Sequence, residues 1–205
     1  MKAVVVGGHT RNIGKTSVMT GLIHGLKALD WTAVKITQYG HGICSLDGQP
    51  CACQPKEHPF VLTEEQDARG GGDTCRFLAA GARRSLWLRV RQGQLGDAFP
   101  MLEKALRRGS GVMIESNSIL EFLKPALYLV VLDSSERDFK PSARRFLDHA
   151  DALVPVESRF DARAWGGFAP WKLDPKPVFP VAAGRYFSPE LCEFVRQKLQ
   201  VSTPG

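Results

Sequence analysis

No run of apolar residues in this 205-residue chain is long enough to cross a bilayer. The longest, Ala126 to Leu132, has the length of a buried strand, whereas a spanning helix needs about 20 apolar residues. The stretch Ala3 to Val6 is too short for the core of an export signal. These two observations predict a cytoplasmic protein with no membrane partner. Cysteine is sparse, five in all, and in a reducing compartment these serve as thiols or metal ligands rather than disulfides. Charge is not strongly one-sided either: 27 Lys plus Arg against 21 Asp plus Glu give +6. The basic pairs (Arg83-Arg84, Arg107-Arg108, Arg144-Arg145) are scattered, and no aromatic residues interleave with them. They read as solvated helix ends, so no nucleic-acid partner is expected. No internal repeat is visible. What is present is a globular composition, 43% hydrophobic and 23% charged, in a chain of the right length for one α/β domain with a full core.

Strand and helix patterns alternate along the chain. Residues 2–7 read as a short apolar strand. Val18, Leu22, Leu26 and Leu29 recur every three to four residues and predict a helix over 15–29. Strands are predicted at 32–37, 85–90, 112–115, 126–132, 152–156 and 177–181, and helices at 74–80, 97–108 and 141–149. Residues 157–176 read as irregular connection. A last helix starts at Ser188-Pro189, with Ser as N-cap and Pro in the first turn. This alternation predicts an α/β fold, a mostly parallel sheet with helices on both faces in three layers. Residues 1–205 are taken as one domain. The segment 38–72 differs in kind, rich in Gly, Pro, Cys and polar residues, and reads as an inserted loop with a function of its own.

The first strand runs into Gly8-His9-Thr10-Arg11-Asn12-Ile13-Gly14-Lys15-Thr16-Ser17. Backbone N–H groups of a glycine loop that opens a helix converge on phosphate oxygens, and the helix dipole adds positive potential. Lys15 is placed to reach the β and γ phosphates, and the Thr16 hydroxyl to ligate Mg²⁺. Residues 8–17 are therefore the candidate phosphate cradle. The first glycine stands one step earlier than in the standard spacing. His9 sits inside the loop, either touching phosphate or stabilising the loop by a hydrogen bond. Arg11 reads as an exposed loop residue or as a finger over a partner copy's phosphates.

That spacing, with Ile13 before Gly14, resembles the loop of dethiobiotin synthetase. The wider layout is similar to the molybdopterin-guanine dinucleotide biosynthesis adapter proteins, GTP-binding P-loop proteins. The matching pieces are the P-loop helix, Lys35 in "AVKITQ" and "DTCRFLAAGA" at 73–82. The resemblance covers about the first 155 residues. It implies a P-loop NTPase, a homodimer meeting across the nucleotide, and a partner enzyme of cofactor or metal-centre assembly. It also implies roles for three residues. Glu115 matches the acid that ends the corresponding strand, and an acid at that strand end would lie beside the P-loop. Asp73 matches the second acid, and Lys35 the lysine that touches substrate or transferred phosphate. The expected Mg²⁺ set is Thr16, Asp73 and Glu115, and Lys15, Thr16 and Glu115 are the expected catalytic residues. The Asn-Lys-x-Asp guanine reader is absent after "HADALV", which leaves ATP and GTP both open.

Cys44, Cys51 and Cys53, flanked by His41 and His58, fall within eighteen residues. A Cys₃His zinc site with His58 or His41 is the expectation. Cys75 would serve as a fourth thiol if the group were an iron–sulfur cluster, and unliganded thiols are the plain alternative. Cys192 reads as packing on the last helix. Three functions stay open on this reading. The leading one is Mg²⁺-dependent nucleotide binding with slow hydrolysis, since no water-positioning residue stands out. The others are a metal-handling NTPase using the Cys-rich loop, similar in logic to nickel-insertion GTPases, and a non-hydrolysing nucleotide-binding adapter.

Overall fold

The computed structural model describes residues 2–40, 58–107, 111–156 and 176–199. Its strands are β1 (Lys2–Gly8), β2 (Trp31–Tyr39), β3 (Phe60–Glu64), β4 (Arg84–Arg91), β5 (Gly111–Glu115), β6 (Leu127–Leu132) and β7 (Ala152–Pro155). They form one sheet in the order β3-β4-β2-β5-β1-β6-β7. Every pairing is parallel except that of β3 with β4. The central strands are buried on both faces, so β6 carries no charged residue and β1 none beyond Lys2.

The helices are α1 (Lys15–Gly25), α2 (Asp73–Ala79), α3 (Leu95–Leu106), α4 (Pro141–Phe146) and α5 (Pro189–Lys198). Successive strand residues point to opposite faces, and the sheet thus feeds two cores. Val5, Ile114 and Val130 pack with Leu102 of α3 and Phe146 of α4. Val4, Met113 and Leu129 pack with Leu22 of α1, Phe77 of α2 and Val195 of α5. This is the three-layer arrangement expected from the alternation.

Several element boundaries differ from the sequence expectation. The helix from Lys15 stops at Gly25, and Lys27–Leu29 form a 3₁₀ turn instead. The Trp31 indole donates to the Leu26 carbonyl (2.9 Å), and Asp30 closes the turn in the left-handed region (φ 47°). Segment 38–72 contains a strand that the polar composition concealed: β3 lies at the sheet edge, antiparallel to β4. Residues 141–149 divide into α4 and a 3₁₀ turn at Leu147–His149. Over 177–181 only a bridge forms, Leu153 with Val178. Pro177 and Pro180 have no N–H to donate, which limits a longer ladder. Ser188 caps α5 as expected, its hydroxyl accepting the Leu191 N–H (3.1 Å).

Candidate functional site

The parallel strands deliver their C-terminal ends to one edge of the sheet. There β1 ends at Gly8, and residues 9–14 turn into α1. Asn12 (φ 56°) and Gly14 (φ 84°) are left-handed, the kind of backbone that turns successive N–H groups inward. Asn117, just past β5, holds the loop's entry. Its Oδ1 accepts the Gly8 N–H (3.0 Å) and its Nδ2 donates to the Gly8 carbonyl (2.9 Å). A Cβ on Gly7 would lie 2.1 Å from the Asn117 Oδ1, so this approach requires glycine.

His9 is fully buried and joins the loop to the segment after β6. Its Nδ1–H donates to the Asp138 carbonyl (2.9 Å), and its Nε2 accepts the Asp133 N–H (3.1 Å). A carbonyl only accepts and an amide N–H only donates, so the ring is the neutral Nδ1–H tautomer. Burial holds its pKa below the usual 6.5. Two further bonds join the same pieces. The Thr10 hydroxyl donates to Asp138 Oδ2 (2.7 Å), and the Lys140 N–H donates to the His9 carbonyl (2.8 Å).

Positive charge gathers at the loop. Lys15 folds back and donates to the Thr10 carbonyl (2.5 Å). Burial pushes its pKa down to about 8, against the opposing pull of Glu115. Lys140 is pushed down to about 7 by burial, then by Lys15 and Arg11. Crowded ammonium groups of this kind are poised for an anion, which would relieve their mutual repulsion.

Beside the loop, four elements bring one residue each to a common point. The Thr16 hydroxyl, from α1, donates to Glu115 Oε2 (2.7 Å) at the end of β5. The Lys35 ammonium, from β2, lies 2.5 Å from Glu115 Oε1, 2.8 Å from Asp73 Oδ2 at the start of α2, and 3.4 Å from Thr16 Oγ1. The parallel pairing of Lys35 with Glu115 places the two side chains at the same height in the sheet. Glu115 is 4% exposed, and burial alone would lower the Lys35 pKa, but Glu115 and Asp73 outweigh it and raise it. Arg76 of α2 donates to the Ser17 hydroxyl (2.8 Å), tying α2 to the loop's far end.

The expected zinc ligands Cys44, Cys51 and Cys53, and His41, lie outside the described residues. His58 is exposed, and its carbonyl accepts the Tyr39 hydroxyl (3.3 Å). Among the described residues no group of three His, Cys, Asp or Glu gathers to hold a metal ion. Cys75 is a buried thiol that donates to Glu65 (3.2 Å), and Cys192 is buried on α5.

Four residues of this region escaped the sequence reading: Asn117, Asp138, Lys140 and Tyr186. Each acts across a long sequence separation, which a local pattern does not register. The Tyr186 ring packs against Gly14, where a Cβ would lie 2.3 Å from it, and Tyr186 itself is left-handed (φ 46°). Asn117 alone carried a local sign, a polar residue two positions past a strand-end acid.

No protein-family model and no curated protein sequence matches the chain. Solved structures do. HypB from Helicobacter pylori, in complex with nickel, superposes with a TM-score of 0.51 at 16% identity, over 98% of this chain and 90% of that one. LpxK from Aquifex aeolicus, in complex with ATP, gives 0.50 at 16% identity, over 88% of this chain and 53% of the other, about half that protein's length. The fold is that of the P-loop NTPases. Bacillus subtilis MobB also matches, at TM-score 0.39 and 15% identity, over 97% of each chain. In this chain residues 8–17 form the junction from β1 through a glycine loop into α1; Glu115 is the last residue of β5, which pairs with β1, and Lys35 lies within β2 on the far side of β5.

Proposed function

We propose that the chain is a Mg²⁺-dependent nucleoside triphosphatase that turns over slowly by itself and acts with a partner enzyme. The observation that carries this reading is the meeting of Thr16, Lys35, Asp73 and Glu115 beside a glycine loop that ends in Lys15. Backbone N–H groups of 9–16 and the Lys15 ammonium bind the triphosphate. On binding, Lys15 exchanges the Thr10 carbonyl for phosphate oxygens, a stronger charge-assisted partner.

The donor set fits magnesium. A hydroxyl and two carboxylates are hard oxygen ligands, and one or two carboxylates plus phosphate is the habitual Mg²⁺ complement. Thr16, Asp73 and Glu115 would hold it, and the Lys35 ammonium already shows that the carboxylates converge on a positive charge. Bound there, Mg²⁺ would neutralise charge that develops on the β and γ phosphates. Lys35 and Lys15 flank the same point and hold the terminal phosphoryl group in place. ATP and GTP are both accommodated by this reading.

The deciding experiment is calorimetry with ATP and with GTP, each with Mg²⁺, on the wild type and on Lys15→Ala. Binding to the wild type and its near-complete loss in the variant is expected. Unchanged affinity in Lys15→Ala would overturn the reading. Hydrolysis without a partner should stay well below about 10 per second, the middle of the enzyme range.

A second reading, a metal-handling NTPase, is favoured by one finding. The HypB structure, which shares this fold, was determined with nickel, and this chain concentrates Cys44, Cys51 and Cys53 between β2 and β3. Elemental analysis of protein purified without chelator separates the two. One zinc or nickel per chain, lost in Cys51→Ser with Cys53→Ser, supports metal handling. A metal-free chain excludes it.

A further inference from the structure

The Lys35 ammonium stands where the magnesium reading places a cation. It lies between Asp73 Oδ2 (2.8 Å) and Glu115 Oε1 (2.5 Å), with Thr16 Oγ1 at 3.4 Å. Those three residues are the proposed metal ligands, and the ammonium uses an oxygen of each carboxylate. An Mg²⁺ held by all three residues, with its oxygens at about 2.0–2.1 Å in octahedral array, would stand at the point between them that the ammonium occupies, so the two cannot be seated there together. Like charges a few ångströms apart inside a protein, where water screens them poorly, repel strongly. One cation must leave before the other arrives.

Resting on the magnesium reading above, we propose that Lys35 occupies the divalent-cation position in the nucleotide-free protein, so that the cation enters only with the triphosphate. The lysine is the mobile partner: its side chain has four rotatable bonds, whereas Glu115 is buried and held by Thr16. The triphosphate supplies what the cation alone lacks. Its terminal phosphate gives the displaced ammonium a new anionic partner beside Lys15, and the carboxylates pass to Mg²⁺. Without nucleotide, a divalent cation would have to expel Lys35 from two carboxylates with no phosphate to receive it. Lys35 therefore couples the two ligands, and the coupling is the same whichever binds first. The consequence is a protein whose Mg²⁺ site stays closed to free cations and opens to the metal–nucleotide complex.

The probe is Mn²⁺ alone, followed by its electron paramagnetic resonance signal, which counts bound and free ion directly and requires no turnover. Wild type and Lys35→Arg should bind Mn²⁺ weakly. Lys35→Met should bind one Mn²⁺ at least tenfold more tightly, and adding Asp73→Asn and Glu115→Gln to it should remove that gain. Unchanged Mn²⁺ affinity in Lys35→Met overturns the proposal, as does a gain that survives loss of both carboxylates. If Lys35→Met fails to fold, Lys35→Gln also removes the charge and is read the same way. Nucleotide affinity, measured on the same wild-type sample, tests the underlying reading separately. A wild type that binds no nucleotide refutes the triphosphatase function, and the Mn²⁺ series still decides what Lys35 does.

Discussion

Asn117 contacts Gly8 with both ends of its amide, which places it among the residues that give the loop its shape. Asn117→Asp keeps the size but replaces the donor to the Gly8 carbonyl with a second acceptor. Leaving a buried carbonyl unpaired costs about 1–3 kcal/mol, so the urea midpoint should fall correspondingly and nucleotide affinity with it. An unchanged midpoint would show that the Gly8 contacts are dispensable. His9 gives a pH-dependent counterpart. Its native pKa lies below 6.5 because burial disfavours the imidazolium. In the window between that lowered value and 6.5 the unfolded chain binds the proton and the native chain does not, so stability rises with pH. The His9 contribution is therefore complete above pH 6.5 and declines as pH falls below it. Urea midpoints at pH 7 and pH 5.5 should differ in the wild type, and His9→Gln should shrink the difference. A loop-stabilising hydrogen bond was among the sequence expectations for His9, but its partners were not: only folding brings Asp133 and Asp138 against it.

Helix α1 is legible from its apolar spacing, but what lies against its other side is not. Gly21 sits in the helix where Ala would normally add about 1 kcal/mol through propensity. Here a Cβ would stand 2.6 Å from the Tyr186 carbonyl, a backbone atom with little freedom to move. Gly21→Ala should therefore destabilise, by about 1–3 kcal/mol as for other overpacking changes. A rise in the urea midpoint would mean that segment 182–187 yields. Strand β3 was missed for a related reason. An edge strand buries only part of itself, so Phe60–Glu64 shows weak alternation, and its pairing partner β4 lies twenty residues on. The central strands were plain because burial on both faces demands uninterrupted apolar residues.

The molecule as a whole assembles its candidate site at the sheet edge where β1 and β5 end and β2 runs on past them, a consequence of parallel strands returning through helices. A ligand bound there touches α1, α2, β2 and β5 together and should resist global unfolding. At 100 times its Kd a nucleotide adds about 2.7 kcal/mol, which for a chain of this size raises Tm by roughly 5–10 °C. Thermal scans with ATP or GTP plus Mg²⁺ should show this shift, and chelation of Mg²⁺ should reduce it. Scans that move with neither nucleotide would contradict nucleotide binding.

Asp73 and Glu115 were singled out as candidate acids through the resemblance, while by itself the sequence determined the alternating α/β plan and the glycine loop at 8–17. These are local or periodic properties: a strand buried on both faces, a helix with one apolar stripe and a strand–glycine–lysine junction each carry their own physical signature within a few residues. Only the tertiary structure decided that Lys35 would stand between Asp73 and Glu115, that Asn117 would hold Gly8, and that His9 would bind the segment after β6. Those contacts join residues from 38 to 129 positions apart. They exist because the sheet order, not the chain order, sets β2, β5, β1 and β6 side by side.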